Sequence, residues 1–475
     1  MKRLSLVFII LVGLLSSCSE EFLETSPTNQ ISDADVFKTV QGCQTVLDGT
    51  LRYMRAYNDY HDQFGVKAID LALDLMGEDI VVAEHHHFGW DYKLDNNQAT
   101  YRRPLYVWTR FYTIINNMNN ILFYIDDATA ESAAQKANVK AQALALRGYA
   151  YHNLAENFQH AYTLDASAPG VPIYTEPTTE GNPRAPLSAV YQQAIDDLDE
   201  AIALMTANPL ARRHISDITL EVAHGLRARV ALYMEDWPNA RDHALAARTG
   251  YSLNTRAQYA NGFDNHQTMS WMWGLEVNEE QSTIYASFFS HIDMTIGGYA
   301  GLGYSRKFVN STLYNLMDDD DIRKQLIVTA DLINLKFNAG AGKGFSADYV
   351  MMRPEEMLLI EAEARYHLND IAGAQGLIED LRDVRYATPS TVTETGQALL
   401  DIIYLERRFE LWGEGFRMRD IRRLQLPLDR TGGSHTSYSN DPMYLQLPAN
   451  SPLFIYKIPQ REIDNNPNIG EADQN

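Results

Sequence analysis

Cysteine is scarce in this chain, which has two, at positions 18 and 43. A disulfide framework of the kind that holds small secreted domains together is therefore excluded. Basic residues are also outnumbered, since 40 lysines and arginines stand against 62 aspartates and glutamates and the formal net charge is −22. No Lys/Arg-rich tract supplies the clustered positive charge that phosphate backbones require, so nucleic acid is not an expected partner.

The apolar segment near the N-terminus, Leu4 to Leu15, is too short to span a membrane. A spanning helix needs roughly 20 apolar residues, whereas a positive start, a short apolar run and small residues are typical of a secretory signal peptide. Lys2 and Arg3 supply the positive start, which favours this interpretation over a buried N-terminal helix. We predict a signal peptide over residues 1–17.

The residues "LSSC" that end at Cys18 resemble the lipobox of bacterial lipoproteins. In such proteins cleavage leaves the cysteine first in the chain, and its thiol is acylated. The resemblance therefore implies that Cys18 is lipidated and anchors the protein to a membrane. The following "SEE" resembles the signal by which some Gram-negative bacteria send lipoproteins to the outer leaflet of the outer membrane. Cys43 is then left without a partner, and we expect it to be buried and inert.

Motifs of common catalytic centres are missing. The chain has no zinc-type HExxH sequence, Gly-x-Ser-x-Gly elbow or phosphate loop. Acidic and basic residues alternate near the C-terminal third, at Glu406, Arg407, Arg408, Glu410, Glu414 and Arg417. Arginines beside the acids would keep them ionised, whereas the general acid of a glycoside hydrolase needs a raised pKa. We interpret this cluster as structural, and we predict that the protein is not an enzyme.

What the chain does contain is helical periodicity. Apolar or small residues recur at helical spacing in six segments, which are 141–149, 190–205, 222–233, 240–247, 357–368 and 374–381. Short turns join two of the pairs, at Asp236-Trp237-Pro238 and at Asn369-Asp370. Stacked helical hairpins of this kind bury a core that one hairpin cannot. The pattern predicts a mainly α fold, a tetratricopeptide-like scaffold with an irregular period.

Three segments interrupt the helical pattern, near 80–105, 251–345 and 427–459. They are rich in aromatic residues, glycine or both, and long loops in a helical chain are usually functional. Within the second insert, "STIYASFF" (282–289) alternates as a strand would. We predict one domain over residues 18–475, with short strands and loops of the inserts forming a ligand face.

Several other features have a structural interpretation beside a functional one. Three adjacent histidines, His85 to His87, make a poor metal site because neighbouring side chains of a strand point in opposite directions, and we interpret them as a solvated loop. Asp318 to Asp321 could bind calcium, but acidic residues also stabilise a helix N-terminus, which we favour. Trp108, Trp237 and Trp412 are expected to pack in the scaffold. We predict no metal and no cofactor.

Several stretches in this order resemble the SusD-like (SusD/RagB) family of outer-membrane nutrient-binding lipoproteins. The resemblance covers essentially the whole mature chain. It includes "FLETSPTNQ" (22–30), "VWTRFYTIINNMNNILFYI" (107–125), "ALALRGYAYHNLAENFQHAY" (143–162), "GVPIY" (170–174), "LERRFELWGEGFRMRDIRRL" (405–424) and the final "FIYKIPQREIDNNPNIGEADQN". The set is more specific than any one of its motifs.

The resemblance implies a role as well as a fold. Members of this family are lipid-anchored at the outer membrane, sit over a SusC-like TonB-dependent β-barrel transporter and capture glycans for import. The resemblance therefore implies glycan binding and delivery without chemistry on the ligand. The alternatives are a peptide-capturing member of the same family, a helical scaffold that binds only protein and, less favoured, a glycoside hydrolase.

Glycan recognition requires flat rings for the C–H faces of sugars and polar groups for their hydroxyls. In this family the stacking residues come from the loop before the "VWTRFY" helix and from the second insert. The resemblance thus implies a regional set of stacking candidates, which are Trp90, Tyr92, Trp271, Trp273, Tyr299 and Tyr304. The candidate polar partners are Asp91, Asn96, Asn97, Arg102 and Asn278. For each tryptophan the alternative is packing in the core.

Overall fold

The computed structural model describes residues 33–84, 86–340, 342–437 and 445–475. Cys18, the predicted signal peptide and His85 lie outside these ranges. Among the helices of the described ranges, none has both the length and the apolar character needed to cross a bilayer.

The fold is mainly helical, as predicted. In chain order the helices are α1 (Asp33–Val36), α2 (Val40–Tyr53), α3 (Val66–Met76), α4 (Gly89–Tyr92), α5 (Arg102–Tyr124), α6 (Ala133–Phe158), α7 (Leu187–Ala207), α8 (Leu220–Met234), α9 (Trp237–Arg248), α10 (Arg256–Ala260), α11 (Phe288–Ile292), α12 (Ser311–Asn315), α13 (Ile322–Gln325), α14 (Pro354–His367), α15 (Ile371–Asp383), α16 (Gln397–Glu410), α17 (Arg417–Arg423) and α18 (Gln460–Asn465).

Short antiparallel strand pairs complete the fold. The strands are β1 (Ile80–Val82), β2 (Trp273–Leu275), β3 (Lys307–Val309), β4 (Ile327–Val328), β5 (Ile333–Asn334), β6 (Tyr349–Met352), β7 (Leu428–Asp429) and β8 (Gln446–Leu447). They pair as β1–β3, β2–β6, β4–β5 and β7–β8. The register places Ile80 opposite Val309 and Trp273 opposite Met352.

The long helices pack in a continuous series. Helix α5 packs on α6, α6 on α7, α7 on α8 and α8 on α9. Helix α9 then packs on α14, which packs on α15. The second insert therefore leaves the series after α9 and returns to it at α14, so the scaffold holds both ends of the insert.

Local chemistry fixes where the hairpins turn. The side chains of Thr219, Asp236 and Asp370 accept hydrogen bonds from backbone N–H groups in the first turns of α8, α9 and α15. Glu235 and Asn369 adopt the left-handed conformation, with φ of 58° and 63°, between consecutive helices. Each turn thus ends one helix and starts the next within a few residues.

Small residues set the spacing between helices. Gly148 of α6 faces α7 so closely that a Cβ atom would lie 3.0 Å from both the carbonyl oxygen of Ala194 and the Cγ of Leu198. Ala141 and Ala145 of the same helix are fully buried. The small face predicted for this helix is therefore a packing face.

The predicted helical segments are confirmed, but the predicted strand over 282–289 is wrong. Residues 282–287 form no strand, and Phe288 begins α11. The hydroxyl of Ser287 accepts a hydrogen bond from the N–H of Ser290, which starts a helix at this point. Alternation of polar and apolar residues over so short a segment did not distinguish a strand from an aromatic turn.

Three packing predictions and the capping prediction are confirmed. Trp108 and Trp412 are buried, and Trp237 stacks on His367 with ring centroids 4.0 Å apart. Asp321 caps α13, since its side chain accepts a hydrogen bond from the N–H of Arg323. Cys43 is buried and free, as expected.

A buried ionic network joins the second insert to the scaffold. Glu410, at the end of α16, accepts hydrogen bonds from Arg353 (2.6 Å), Arg385 (2.7 and 2.9 Å) and Arg323 (3.1 Å). Glu414 accepts from Lys336 at 2.6 Å. Burial alone would raise the pKa of Glu410, but the charges of Arg385 and Arg353 hold it well below its usual range. The structural interpretation of this cluster is confirmed.

Removal of the central carboxylate should destabilise the fold strongly. Glu410→Gln would leave three arginine side chains buried without their shared counter-charge, and breaking a buried ion pair costs roughly 3–5 kcal/mol. Urea unfolding followed by circular dichroism measures the loss. Asp242→Asn is the matched control, because it breaks the exposed pair with Arg241 and should cost less than ~1 kcal/mol. An equal, small loss for both variants would contradict a stabilising role of the network.

Candidate functional site

Exposed and partly buried aromatic side chains from four loops lie close together on the surface of the protein. We call this the aromatic surface, and it consists of Tyr57, Tyr60, His61, His86, His87, Tyr285, Tyr299 and Tyr304. Four of the tyrosines are strongly exposed: Tyr57 by 41%, Tyr60 by 47%, Tyr285 by 44% and Tyr304 by 55%. A large rigid ring with a polar tip usually avoids such exposure, which makes the group a candidate binding surface.

Tyr299 lies at the centre of the aromatic surface. Its ring stacks on His86 at 5.3 Å and on the buried His291 at 4.8 Å, and it meets His87 edge-on at 4.6 Å. Its hydroxyl forms a hydrogen bond with Nδ1 of His61, 2.8 Å away. These contacts hold the ring in one orientation, so the surface is largely preformed.

The histidines beneath Tyr299 are uncharged. Burial lowers the pKa of His87 to about 4 and the pKa of His291 well below its ordinary value. Nε2 of His291 donates to the backbone carbonyl of His61 at 2.9 Å, which fixes a neutral tautomer. The centre of the aromatic surface therefore offers rings and hydrogen-bonding groups without a positive charge from these two residues.

A cation flanks the surface at its junction with α5. The guanidinium of Arg102 lies 4.0 Å from the centroid of the Tyr60 ring, a cation–π contact. One of its nitrogens is 3.3 Å from a carboxylate oxygen of Asp62. The Arg102 side chain keeps 40% of its surface exposed, so it has donors left for a ligand.

The structure brings together three of the residues that the sequence indicated, Arg102, Tyr299 and Tyr304. Tyr299 and Tyr304 are in contact, with ring centroids 6.4 Å apart. Trp90 follows His87 by three residues and is 49% exposed, although it makes no ring contact with the aromatic surface among the described residues.

The two remaining accessible candidates have local hydrogen bonds. Asn96 is partly buried and donates to Asp91 at 3.0 Å. Asn278 is exposed, and its side chain accepts a hydrogen bond from the N–H of Gln281. Asn278 thereby caps the short 3-10 helix Glu279–Gln281. Ligand contact by these two residues stays a prediction.

Five of the candidates are buried, which removes them from the accessible surface in this structure. Tyr92 and Asp91 are each 1% exposed, Asn97 3%, Trp271 3% and Trp273 0%. Trp273 lies in β2 with its indole N–H donating to the carbonyl of Ser216 at 3.0 Å. Trp271 packs against the backbone at Gly274. The indoles thus do what tryptophans most often do, which is to fill the core.

Tyr92 has a structural role that its loop position concealed. Nε2 of His435 donates to the backbone carbonyl of Glu78 at 2.8 Å, which leaves Nδ1 to accept from the Tyr92 hydroxyl at 2.6 Å. Burial lowers the pKa of His435 to about 4, so the ring stays neutral. Arg430 lies over the Tyr92 ring at 4.6 Å. These contacts attach the third insert to α4.

Asp91 and Asn97 are likewise used within the protein. Asp91 accepts two hydrogen bonds from Arg103, at 2.8 and 3.0 Å. Asn97 donates to the carbonyl of Pro452 at a long 3.4 Å. Both side chains therefore stabilise the first insert through internal hydrogen bonds.

The sequence reasoning missed Tyr57, Tyr60, His61 and Tyr285. "YNDYH" (57–61) places three aromatic side chains in five residues, shortly before α3. Such a high density of aromatic residues in a loop was a sequence signal for an aromatic surface. Tyr285 was hidden because its segment was interpreted as a strand.

His86 and His87 lie in a loop, as predicted, with His86 exposed and His87 partly buried. Both pack against Tyr299. Among the residues that the structure describes, no group of three His, Cys, Asp or Glu side chains is placed to hold a metal ion.

Two buried carboxylates with strongly shifted pKa values, Asp74 and Glu414, do not fit the general acid of a glycoside hydrolase. A general acid needs a raised pKa and access to the substrate. Burial raises the pKa of Asp74 to about 7, but this carboxylate is 2% exposed and accepts from the N–H groups of Gly415 (2.8 Å) and Arg417 (2.9 Å). Desolvation would raise the pKa of Glu414, yet Arg353 and Lys336 lower it to about 2.

Helical hairpins packed in series, with inserts that carry an aromatic surface, define a protein of the helical-repeat class with a candidate ligand-binding surface. Comparison with known proteins identifies the family. The profile of the SusD family matches residues 327–475, and a profile described as starch-binding associating with outer membrane matches residues 21–232.

Solved structures and a curated relative agree with these matches. The chain is similar to a SusD-like carbohydrate binding protein from Bacteroides vulgatus, with 30% identity, a TM-score of 0.83 and coverage of 92% of this chain and 98% of that one. Surface glycan-binding protein A from Bacteroides thetaiotaomicron shares the fold at 17% identity and a TM-score of 0.69, over 90% of this chain and 98% of that one. SusD-like protein P2 of Formosa agariphila is 24% identical over 90% of this chain and 91% of its own length. The chain belongs to the SusD family.

The structural role of Tyr92 leads to a test. Tyr92→Phe would leave Nδ1 of the buried His435 without its donor, at a cost of about 1–3 kcal/mol in the free energy of unfolding. Urea titration measures this cost, and the exposed Tyr304→Phe should show almost none. Weaker ligand binding by Tyr92→Phe at unchanged stability would instead indicate that Tyr92 contacts the ligand.

Proposed function

We propose that this protein captures glycans on the aromatic surface and delivers them, chemically unchanged, to a SusC-like TonB-dependent transporter of the outer membrane. The observation that carries the proposal is the cluster of tyrosine rings on loops that a rigid helical scaffold holds. Exposed rings accept the C–H faces of pyranoses, and their hydroxyls, with Arg102, offer hydrogen bonds to sugar hydroxyls. The names of the relatives support the same ligand class, since two of them are described as carbohydrate- or glycan-binding.

The electrostatics of the surface favour a glycan over a strongly charged peptide. His87 and His291 are neutral, and Arg102 is already paired with Asp62. Ring stacking and neutral hydrogen bonds are then the main contributions to binding. Trp90, exposed in α4 three residues after His87, belongs to the proposed contact area as a peripheral ring.

Exposed rings can be removed with little effect on folding. Tyr285→Ala and Tyr304→Ala should each weaken glycan affinity about fivefold, since a stacked ring contributes ~1 kcal/mol. Isothermal titration calorimetry against a panel of oligosaccharides and peptides measures the change. Phe123→Ala is the matched control, because that ring is 58% exposed at the far end of α5.

Two results would contradict this proposal. Unchanged affinity in the double variant Tyr285→Ala/Tyr304→Ala would place the ligand elsewhere. Saturable heat from peptides, with none from glycans, would assign the protein to peptide capture.

The proposal includes attachment to the outer membrane through lipid on Cys18, facing the cell exterior. Cys18→Ala should abolish incorporation of labelled fatty acid and release the protein from the membrane fraction. Cys43→Ala is the control, because that thiol is buried in the core and should leave the labelling unchanged. Undiminished labelling of Cys18→Ala would contradict the lipid anchor without affecting the glycan-binding proposal.

A further inference from the structure

A cavity lies along α5, and its lining residues are not part of the aromatic surface. It is a groove of about 570 Å³ between α5, the loop 174–181 and α18 with the following Asn466. Small-molecule sites typically enclose ~300–1,000 Å³. We call this cavity the α5 groove.

Aromatic rings form the floor of the α5 groove. Trp108 and Tyr112 are one helical turn apart, with ring centroids separated by 4.7 Å, and Tyr174 meets Tyr112 edge-on at 5.8 Å. The Tyr112 hydroxyl donates to the carbonyl of Pro172 at 2.7 Å, and the Trp108 indole N–H donates to Glu462 at 3.2 Å. The floor is therefore rigid before any ligand arrives.

A row of free hydroxyl and amide groups runs beside these rings. Thr109, Thr113 and Asn116 follow one another at helical spacing along the groove. None of the three side chains forms a hydrogen bond with the described residues. Thr109 and Asn116 are exposed and Thr113 is partly exposed, so all three are accessible to a ligand. Apolar rings beside unused hydrogen-bonding groups suit a ligand with C–H faces and many hydroxyls.

The charged side chains that line the groove favour neutral ligands over anionic ones. Glu176, Glu180 and Glu462 line the groove against the single basic side chain of Arg461. The surplus of negative charge disfavours uronates and sulfated sugars.

We propose that the α5 groove is a second saccharide-binding site, for neutral oligosaccharides. The inference rests on the proposed function in taking glycans as the ligand class, but it depends on different residues. Arg102, Leu105, Thr109 and Asn116 lie on one stripe of α5, and Asn116 is about 21 Å from Arg102 along the helix axis. One long glycan can thus follow a single helix face from the aromatic surface into the groove.

The test counts sites on the full-length mature chain. Native mass spectrometry and calorimetry with maltoheptaose, xylohexaose, mannohexaose and cellohexaose should give two bound molecules per chain for one of these probes. T113A/N116A removes groups that make no internal hydrogen bond, so the fold should be unaffected and one molecule should remain. Thr113→Trp, which fills the groove, should have the same effect. Thr45→Ala, an exposed helical threonine outside both sites, is the control.

The outcomes separate this inference from the proposed function. Two molecules bound to both T113A/N116A and Thr113→Trp would overturn the groove site. Loss of all binding in Y285A/Y304A, with none lost in the groove variants, would overturn the groove site and leave the proposed function standing. Binding that survives Y285A/Y304A but is lost in the groove variants would support the groove and contradict the aromatic surface. No binding of any probe would count against both.

Discussion

The ion pairs between Glu410 and three arginines are the interaction on which the position of the aromatic surface depends. Arg323 belongs to the second insert, Arg353 leads into α14, and Arg385 follows α15, yet all three donate to one carboxylate at the end of α16. Because burying a charge without a partner is costly, these ion pairs favour the arrangement in which the four segments meet at Glu410. The insert that carries Tyr285 and Tyr299 is thereby fixed to the scaffold, although it has little regular structure of its own.

Loops that are distant in sequence can then form one surface without a large sheet or a disulfide. The aromatic surface takes its rings from residues 57–61, 86–87 and 285–304, and the buried His291 contacts all three segments. His291 illustrates the anchoring, since it stacks on Tyr299 and also donates to the carbonyl of His61. Binding by such a surface requires little ordering of the protein, which preserves the affinity that each ring provides.

The helical scaffold could be predicted from the sequence, whereas only part of the candidate site could. Helical spacing is a local property, so α7, α8, α9, α14 and α15 followed from the positions of small and apolar residues. Whether an aromatic residue of a loop faces solvent depends on contacts with residues hundreds of positions away, such as Tyr92 with His435. Chemical type alone therefore placed Trp271 and Trp273 on the surface, although burial of a large apolar area favours the core.

Helix α5 connects the two proposed binding areas, and its length has an energetic consequence. Its 23 residues carry Arg102 beside Tyr60 at one end and the polar row of the groove in the middle. A glycan that reaches both areas makes its second contact within one complex, at an effective concentration on the order of millimolar. Two weak contacts together give a polymer a higher affinity than either contact alone. Short oligosaccharides, which reach only one area, dissociate easily. A protein that must release its ligand benefits from this difference, because shortening of the glycan by itself lowers the affinity.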